Sequence, residues 1–116
     1  MRIDKKFERS TELWNLQQEH VESLFAYFVY GFDPGSFFTA LLENNMYEAA
    51  CHSHPANRWE DIRNTCRWIV NSAPRNSYGS QKKVEAWMNQ TDDERRKCCE
   101  DANILMSAWD MLKEPN

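Results

Sequence analysis

Glycine and proline are concentrated in one short stretch of this chain, Tyr30 to Asn45, and they constrain how two helices meet. The stretch holds two of the chain's three glycines and one of its four prolines. Gly31 follows an apolar run, at the place of the left-handed residue that ends a helix. Asp33 before Pro34 predicts an N-cap followed by a proline in the first helical position. The pattern therefore predicts that one helix ends, the chain turns and a second helix begins within a few residues, and Gly31→Val is expected to cost about 1 kcal/mol or more.

Elsewhere, apolar residues recur at steps of three and four, and no alternating β-branched run competes, so the sequence predicts an all-α fold. We expect a single domain over residues 1–116, a compact bundle of about six helices, with residues 1–10 as a flexible or loosely docked arm. The predicted helices are a long one from Thr11 to Gly31, short ones around Phe37–Leu42 and Met46–Cys51, one capped by Asn57, one capped by Ser80, and a last one running from a Thr91–Glu94 capping box to Lys113, ended by Pro115. In the helix after Asn57, the predicted buried face is Trp59, Ile62, Cys66, Ile69 and Val70. A polar loop, Asn71 to Gly79, separates the two halves.

Charge and composition exclude some functions without naming one. Eighteen acids against fourteen Lys and Arg give a net charge of −4, which argues against a broad phosphate-binding surface and against a DNA mimic. The start has no apolar segment typical of a signal peptide, and no stretch is long and apolar enough for a membrane span, so we expect a cytoplasmic protein. Its four cysteines are then expected to be thiols without disulfides.

The middle of the chain resembles a family of small uncharacterised helical proteins of tailed bacteriophages and prophages. The likeness covers about residues 26–89 and is carried by Tyr30 to Asn45, Glu48-Ala49, Asn57, Trp68 to Pro74 and Gly79 to Trp87. Where the family has Cys-Trp before the second glycine, this chain has Ser77-Tyr78. The resemblance implies a phage origin, and hence the host cytoplasm, together with a helical fold. The family has no assigned activity, so no functional residue is carried over.

A metal site and an enzyme active site both find little support. Cys51 and His54 have a C-x-x-H spacing, with His52, Cys66 and the Cys98-Cys99 pair available as further zinc ligands. Structural zinc sites usually have two tight ligand pairs, and Cys66 and Cys98 lie on apolar faces where thiols act as small hydrophobes, so we expect no metal and no cofactor. Since no nucleophile elbow, phosphate loop, H-E-x-x-H motif or paired carboxylates accompany the histidines, we expect no catalytic residues. His20 lies on the apolar stripe of the first helix and is interpreted as packing.

Binding to a macromolecule is the remaining class of function. Basic and aromatic residues interleave only over residues 75–97, which leaves a nucleic-acid-binding accessory factor as the alternative. This region contains Arg75, Tyr78, Lys82-Lys83, Trp87 and Arg95-Arg96-Lys97. Asp92, Asp93 and Glu94 interrupt it, so a solvated helix face is the simpler interpretation.

We favour binding to a host or phage protein, as an inhibitor or adaptor. Five tryptophans exceed what a small helical core needs, and Trp68 lies off the predicted apolar face, where it either reaches the surface or packs against another helix. The predicted partner-binding residues are Trp68, Arg75, Tyr78, Lys82 and Lys83, around the Asn71–Gly79 loop. The outer face of the last helix is the next candidate, and the sequence does not indicate an oligomeric state.

Overall fold

The computed structural model describes residues 2–55 and 57–113, and in this part of the chain every regular element is helical. The all-α prediction is confirmed. Eight α-helices and a 3₁₀ turn at Arg75–Ser77 stand where about six helices were expected. The α-helices are α1 (Lys5–Leu13), α2 (Gln18–Tyr30), α3 (Ser36–Leu42), α4 (Met46–His52), α5 (Trp59–Ser72), α6 (Gln81–Asn89), α7 (Asp92–Asp101) and α8 (Ala108–Lys113).

The N-terminal residues form a packed helix, so the prediction of a loose arm over residues 1–10 is wrong. Asp4 is the N-cap of α1, and its carboxylate accepts from the backbone N–H groups of Lys6 at 2.8 Å and Phe7 at 3.3 Å. The Phe7 side chain is fully buried. A single apolar residue between charged neighbours therefore docks α1 in the core.

Three helices end at an asparagine with positive φ: Asn15 (57°), Asn44 (66°) and Asn103 (66°). At Asn15, the N–H of Leu16 reaches Thr11 O at 3.2 Å and that of Asn15 reaches Glu12 O at 3.0 Å, the two bonds of a Schellman motif. The same pair of bonds follows Asn44 and Asn103. The expected continuous helices from Thr11 to Gly31 and from Thr91 to Lys113 are therefore wrong, because Asn15 and Asn103 interrupt them. Pro115, expected to end the last helix, lies outside the described residues.

The glycine-rich turn joins α2 to α3, and only the first half of its prediction is correct. Gly31 ends α2 with φ of 69°, as expected. Asp33, predicted as the N-cap of the next helix, instead accepts from Gly35 N at 2.8 Å, and Gly35 is the N-cap, with φ of 90° and ψ of 166°. That backbone region is open essentially to glycine alone, so the second glycine starts α3.

The remaining helix starts agree with the sequence except at α5. Ser80 caps α6 and Thr91 forms the capping box with Glu94, both as predicted. The N-cap of α5 is Arg58, and Asn57 is not the cap. The expected face of α5 is correct for Ile62 and Ile69, which are buried, and wrong for Trp59 and Val70, which are exposed. The buried residues of this helix are Asp61, Ile62, Thr65, Trp68 and Ile69.

Helix α2 lies at the centre of one cluster of buried apolar side chains. The ring of Phe28 lies 5.6 Å from that of Trp68 and 6.3 Å from that of Trp87, both edge-on. The Tyr27 hydroxyl donates to Ser77 O at 2.7 Å, and the Trp87 indole donates to Tyr27 O at 3.2 Å. These bonds satisfy the polar atoms that such large aromatic residues bring into a core.

Arg95 of α7 is buried and joins the C-terminal ends of two helices. Its Nε donates to Val29 O at 3.2 Å, in the last turn of α2, and its Nη1 donates to Trp87 O and Met88 O, both at 3.4 Å, in the last turn of α6. It also bonds Gln90 O and pairs with Asp92. The guanidinium thus supplies donors at the negative ends of two helix dipoles, where the last carbonyls commonly need partners from outside the helix. Trp87 O also accepts from Gln90 N at 3.2 Å.

Among the described residues, no helix has both the length and the apolar character required to traverse a lipid bilayer.

Candidate protein-binding surface

The structure removes Trp68 from the predicted partner-binding surface. Its side chain is fully buried, with ring centroids 5.4 Å from Phe7 and 5.6 Å from Phe28. The indole N–H donates to Ser10 Oγ at 2.9 Å. Trp68 packs against neighbouring helices from the side opposite to the predicted stripe, so it cannot touch a partner of the folded protein.

The other predicted contacts lie around the Asn71–Gly79 segment. Arg75, Lys82 and Lys83 are exposed and Tyr78 is half-buried. The segment itself is held in place, since Ser77 O accepts from Tyr27 and Gly79 N donates to Leu42 O at 2.7 Å. The role of these four residues in binding stays a prediction.

Two residues of the region proposed to bind nucleic acid, residues 75–97, are buried in the core. Trp87 is fully buried, and Arg95 is committed to backbone carbonyls of α2 and α6. Asp92, Asp93 and Glu94 are exposed at the start of α7. A base cannot stack on the buried indole of Trp87, so the half-buried Tyr78 is the aromatic residue that this alternative keeps.

Cysteine and histidine side chains do not form a metal centre in the part of the chain described here: no three His, Cys, Asp or Glu groups converge. Cys51 is exposed, Cys66 and Cys98 are half-buried, and Cys99 is buried. Burial raises the pKa of the Cys99 thiol to about 12, and its Sγ lies 3.7 Å from Phe28 O. Cys99 is therefore an unreactive part of the core.

All three histidines line one open cleft of about 990 Å³ between α2, the start of α3 and the connection from α4 to α5. His20 Nε2 lies 3.3 Å from Asn57 Oδ1 and Nδ1 lies 3.4 Å from Thr65 Oγ1. Burial lowers the pKa of His20 and outweighs the opposite effects of Asn57, Asp61 and Glu19. Because both ring nitrogens are occupied, His20 is placed to join α2 to α5 and not to act as a base on a substrate.

Exposed apolar side chains lie on α8 and at the end of α2, and Met111 and Tyr30 are the residues through which the two groups meet. We define the C-terminal apolar surface as Tyr30, Phe32, Trp109, Met111 and Leu112. Trp109 is 64% exposed, Met111 56% and Leu112 81%. Tyr30 and Met111 line the same cavity, and the Phe32 ring stacks on Tyr30 at 5.7 Å. The cluster thus brings together residues about 80 positions apart in sequence.

Helix α8 is positioned by polar contacts on its other side. Asp110 accepts from Lys6 Nζ at 2.9 Å and from the Ser107 backbone N–H at 3.0 Å. These bonds, the Ser107 N–H first, lower the pKa of Asp110 to about 2. Just before the helix, Met106 N donates to Asp4 Oδ2 at 3.2 Å. Since Asp110 faces α1, the apolar residues beside it in sequence are left on the outside of this short helix.

Most of this surface was missed from the sequence. The sequence placed Trp109 and Leu112 within one long last helix, and it did not identify Tyr30 or Phe32 as surface residues. Asn103 could have indicated this surface. If a helix ends at Asn103, the helix after it is short, and a short helix cannot bury Trp109, Met111 and Leu112 together on one face.

Comparisons with protein families, with curated proteins and with solved structures find no match to this chain. The likeness of residues 26–89 to the phage proteins stays a prediction.

Proposed function

We propose that the protein acts by binding another protein through the C-terminal apolar surface, without chemistry of its own. The observation that carries the proposal is the exposure of Trp109, Met111 and Leu112 on a helix that is fixed to the body of the protein. Trp, Tyr, Phe and Met are enriched in the centres of protein interfaces, and tryptophan and tyrosine are frequent among the residues that dominate binding energy. An anchored helix presents them at a smaller entropic cost than a mobile tail does.

The family resemblance supports a host or phage protein as the target, and the small size supports a role as an inhibitor or adaptor. Such a protein needs only a surface that covers or joins a site on its target. In the cleft that holds the histidines, the ring nitrogens of His20 lie next to Asn57 and Thr65, so His20 itself is not available to a substrate as a base.

The test is a quantitative capture experiment with the tagged protein and lysate of infected host cells. Met111→Ser and Leu112→Ser should each abolish recovery of the partner, because each removes apolar contact area from the interface. Leu13→Ser is the matched control, since Leu13 is as exposed as Leu112 but lies at the end of α1. Circular dichroism must show that all variants remain folded.

Equal capture by the parent and the Leu112→Ser variant refutes the proposal, as does the lack of any protein specific to the parent. Arg75→Glu and Tyr78→Ala are measured beside them. If these two variants lose the partner and Leu112→Ser retains it, the interface lies at the Asn71–Gly79 segment. Sedimentation of the purified protein supplies a further check, because a dimer broken by Leu112→Ser would mean that a second copy covers this surface.

A further inference from the structure

A cavity of about 650 Å³ opens beside the C-terminal apolar surface, between the N-terminal residues, α1, α2, α7 and α8. The cavity is lined by Arg2, Ile3, Asp4, Lys5, Glu8, Phe25, Val29, Tyr30, Arg96 and Met111. Phe25 and Val29 are buried and Ile3 is half-buried, so they form an apolar floor, whereas Tyr30 and Met111 are exposed at its margin. The volume is within the range of about 300–1,000 Å³ common for ligand pockets. A bulky apolar side chain of a partner fits this shape and chemistry.

The charged groups around the floor are mostly cationic. Arg2, Lys5 and Arg96 are exposed, and none of the three forms an ion pair within residues 2–55 and 57–113. Of the two acids, Asp4 is occupied by the backbone N–H groups of Lys6, Phe7 and Met106. Glu8 is the other. The five charged side chains at this cavity thus carry a formal charge of +1, in a chain whose net charge is −4.

We propose that the partner inserts a bulky apolar side chain into this cavity and places carboxylates beside it, as an acidic amphipathic segment does. The inference rests on the proposed function, since it concerns the same surface. Apolar contact supplies the affinity, and opposite charges around it supply orientation and association rate. An anionic membrane fits less well, because it favours a continuous basic face over three cations around a pocket.

The probe is a labelled peptide of about 12 residues, with leucines spaced one helical turn apart and Asp or Glu at the other positions. One control peptide has lysine at every acidic position, and another has serine in place of leucine. Fluorescence anisotropy should show that the protein binds the acidic peptide with an affinity that falls as salt is raised. Neither control peptide should bind.

Arg96→Glu should weaken binding of the acidic peptide by about tenfold or more. Lys82→Glu is the matched control, because this exposed lysine of α6 lies outside the cavity, and it should bind as the parent does. Equal binding by the Arg96→Glu variant and the parent, or equal binding of the lysine peptide, refutes the inference. Vesicles containing phosphatidylserine are tested in parallel, and retention on vesicles without peptide binding also refutes it.

The two proposals can fail separately. If Leu112→Ser abolishes capture of the natural partner while the acidic peptide does not bind, the surface is correct and the inferred partner chemistry is wrong. If Leu112→Ser changes neither capture nor peptide binding, the proposed function is wrong as well.

Discussion

Gly31 lies against the guanidinium of Arg95, so a side chain at position 31 should affect stability through this contact as well as through the turn. A Cβ at position 31 would lie 2.7 Å from both Cζ and Nη1 of Arg95 and 3.2 Å from its Nε. Atoms cannot approach so closely, and the φ of 69° at Gly31 is itself unfavourable for a residue with a side chain. Gly31→Ala should therefore strain the backbone and also displace the buried guanidinium.

The expected cost follows from these two effects. The left-handed conformation costs alanine about 1 kcal/mol relative to glycine. A hydrogen bond from a charged donor contributes about 1.5–3 kcal/mol, and displacement of Arg95 weakens at least its bond to Val29 O. Gly31→Ala should thus lower the free energy of unfolding by about 2.5–4 kcal/mol, a large part of the roughly 5–15 kcal/mol typical of small domains.

Urea denaturation followed by circular dichroism and tryptophan fluorescence measures this difference. Asn44→Ala is the control for backbone strain, because Asn44 has a φ of 66°, and it should cost about 1 kcal/mol or less. In an Arg95→Met background the cost of Gly31→Ala should fall to about the same value, since no guanidinium remains to clash. An equal cost of Gly31→Ala in both backgrounds would refute the reasoning.

Three further predictions concern other contacts. Because burial lowers the pKa of His20, the unfolded chain binds a proton at a higher pH than the folded chain does. The free energy of unfolding should therefore be highest above pH about 6.5 and decline as the pH falls below that value. His20→Gln should reduce this dependence in urea titrations. Trp68→Phe should keep the ring contacts but lose the bond to Ser10, at about 1 kcal/mol, whereas Trp68→Ala should cost about 3–5 kcal/mol. Lys6→Met should speed amide hydrogen exchange in α8 and leave exchange in α2 unchanged, because it removes the ion pair with Asp110.

Each has an outcome that contradicts it. A His20→Gln protein with the parent's pH dependence would place the titration elsewhere. Trp68→Ala with unchanged stability would mean that the indole is not in the core, and uniform changes of exchange after Lys6→Met would mean that α8 is not an independently anchored element.

Sequence reasoning succeeded where the signal is local. Gly31, Ser80 and Thr91 act at helix ends through their own backbone or side chain, and their neighbours in sequence are sufficient to identify them. Asn15 and Asn103 act in the same way, but apolar residues continue on both sides of each. The periodicity therefore suggested uninterrupted helices, and the Schellman motifs were missed.

The candidate site was less predictable because burial depends on contacts between distant residues. Trp68 was placed near the surface since its own helix gives it no apolar neighbours on the predicted stripe. Phe7 and Phe28, which bury it, come from α1 and α2. Arg95 was counted among exposed cations, because only the fold shows that two helix ends converge on it. The C-terminal apolar surface likewise requires α8 to meet the end of α2.

Helix α2 is translated early, yet its hydrogen-bonding partners emerge late from the ribosome. The partners of Tyr27 lie fifty residues later, at Ser77, and sixty residues later, at Trp87. The partner of Val29 is Arg95, sixty-six residues later, and that of Phe28 is Cys99, seventy-one residues later. During synthesis this apolar helix therefore lacks part of its cover until α7 has left the exit tunnel, a period of several seconds at about 5–20 residues per second. A nascent chain stalled before α7 should expose the aromatic rings of α2 and bind chaperones, and release of the completed chain should end that binding.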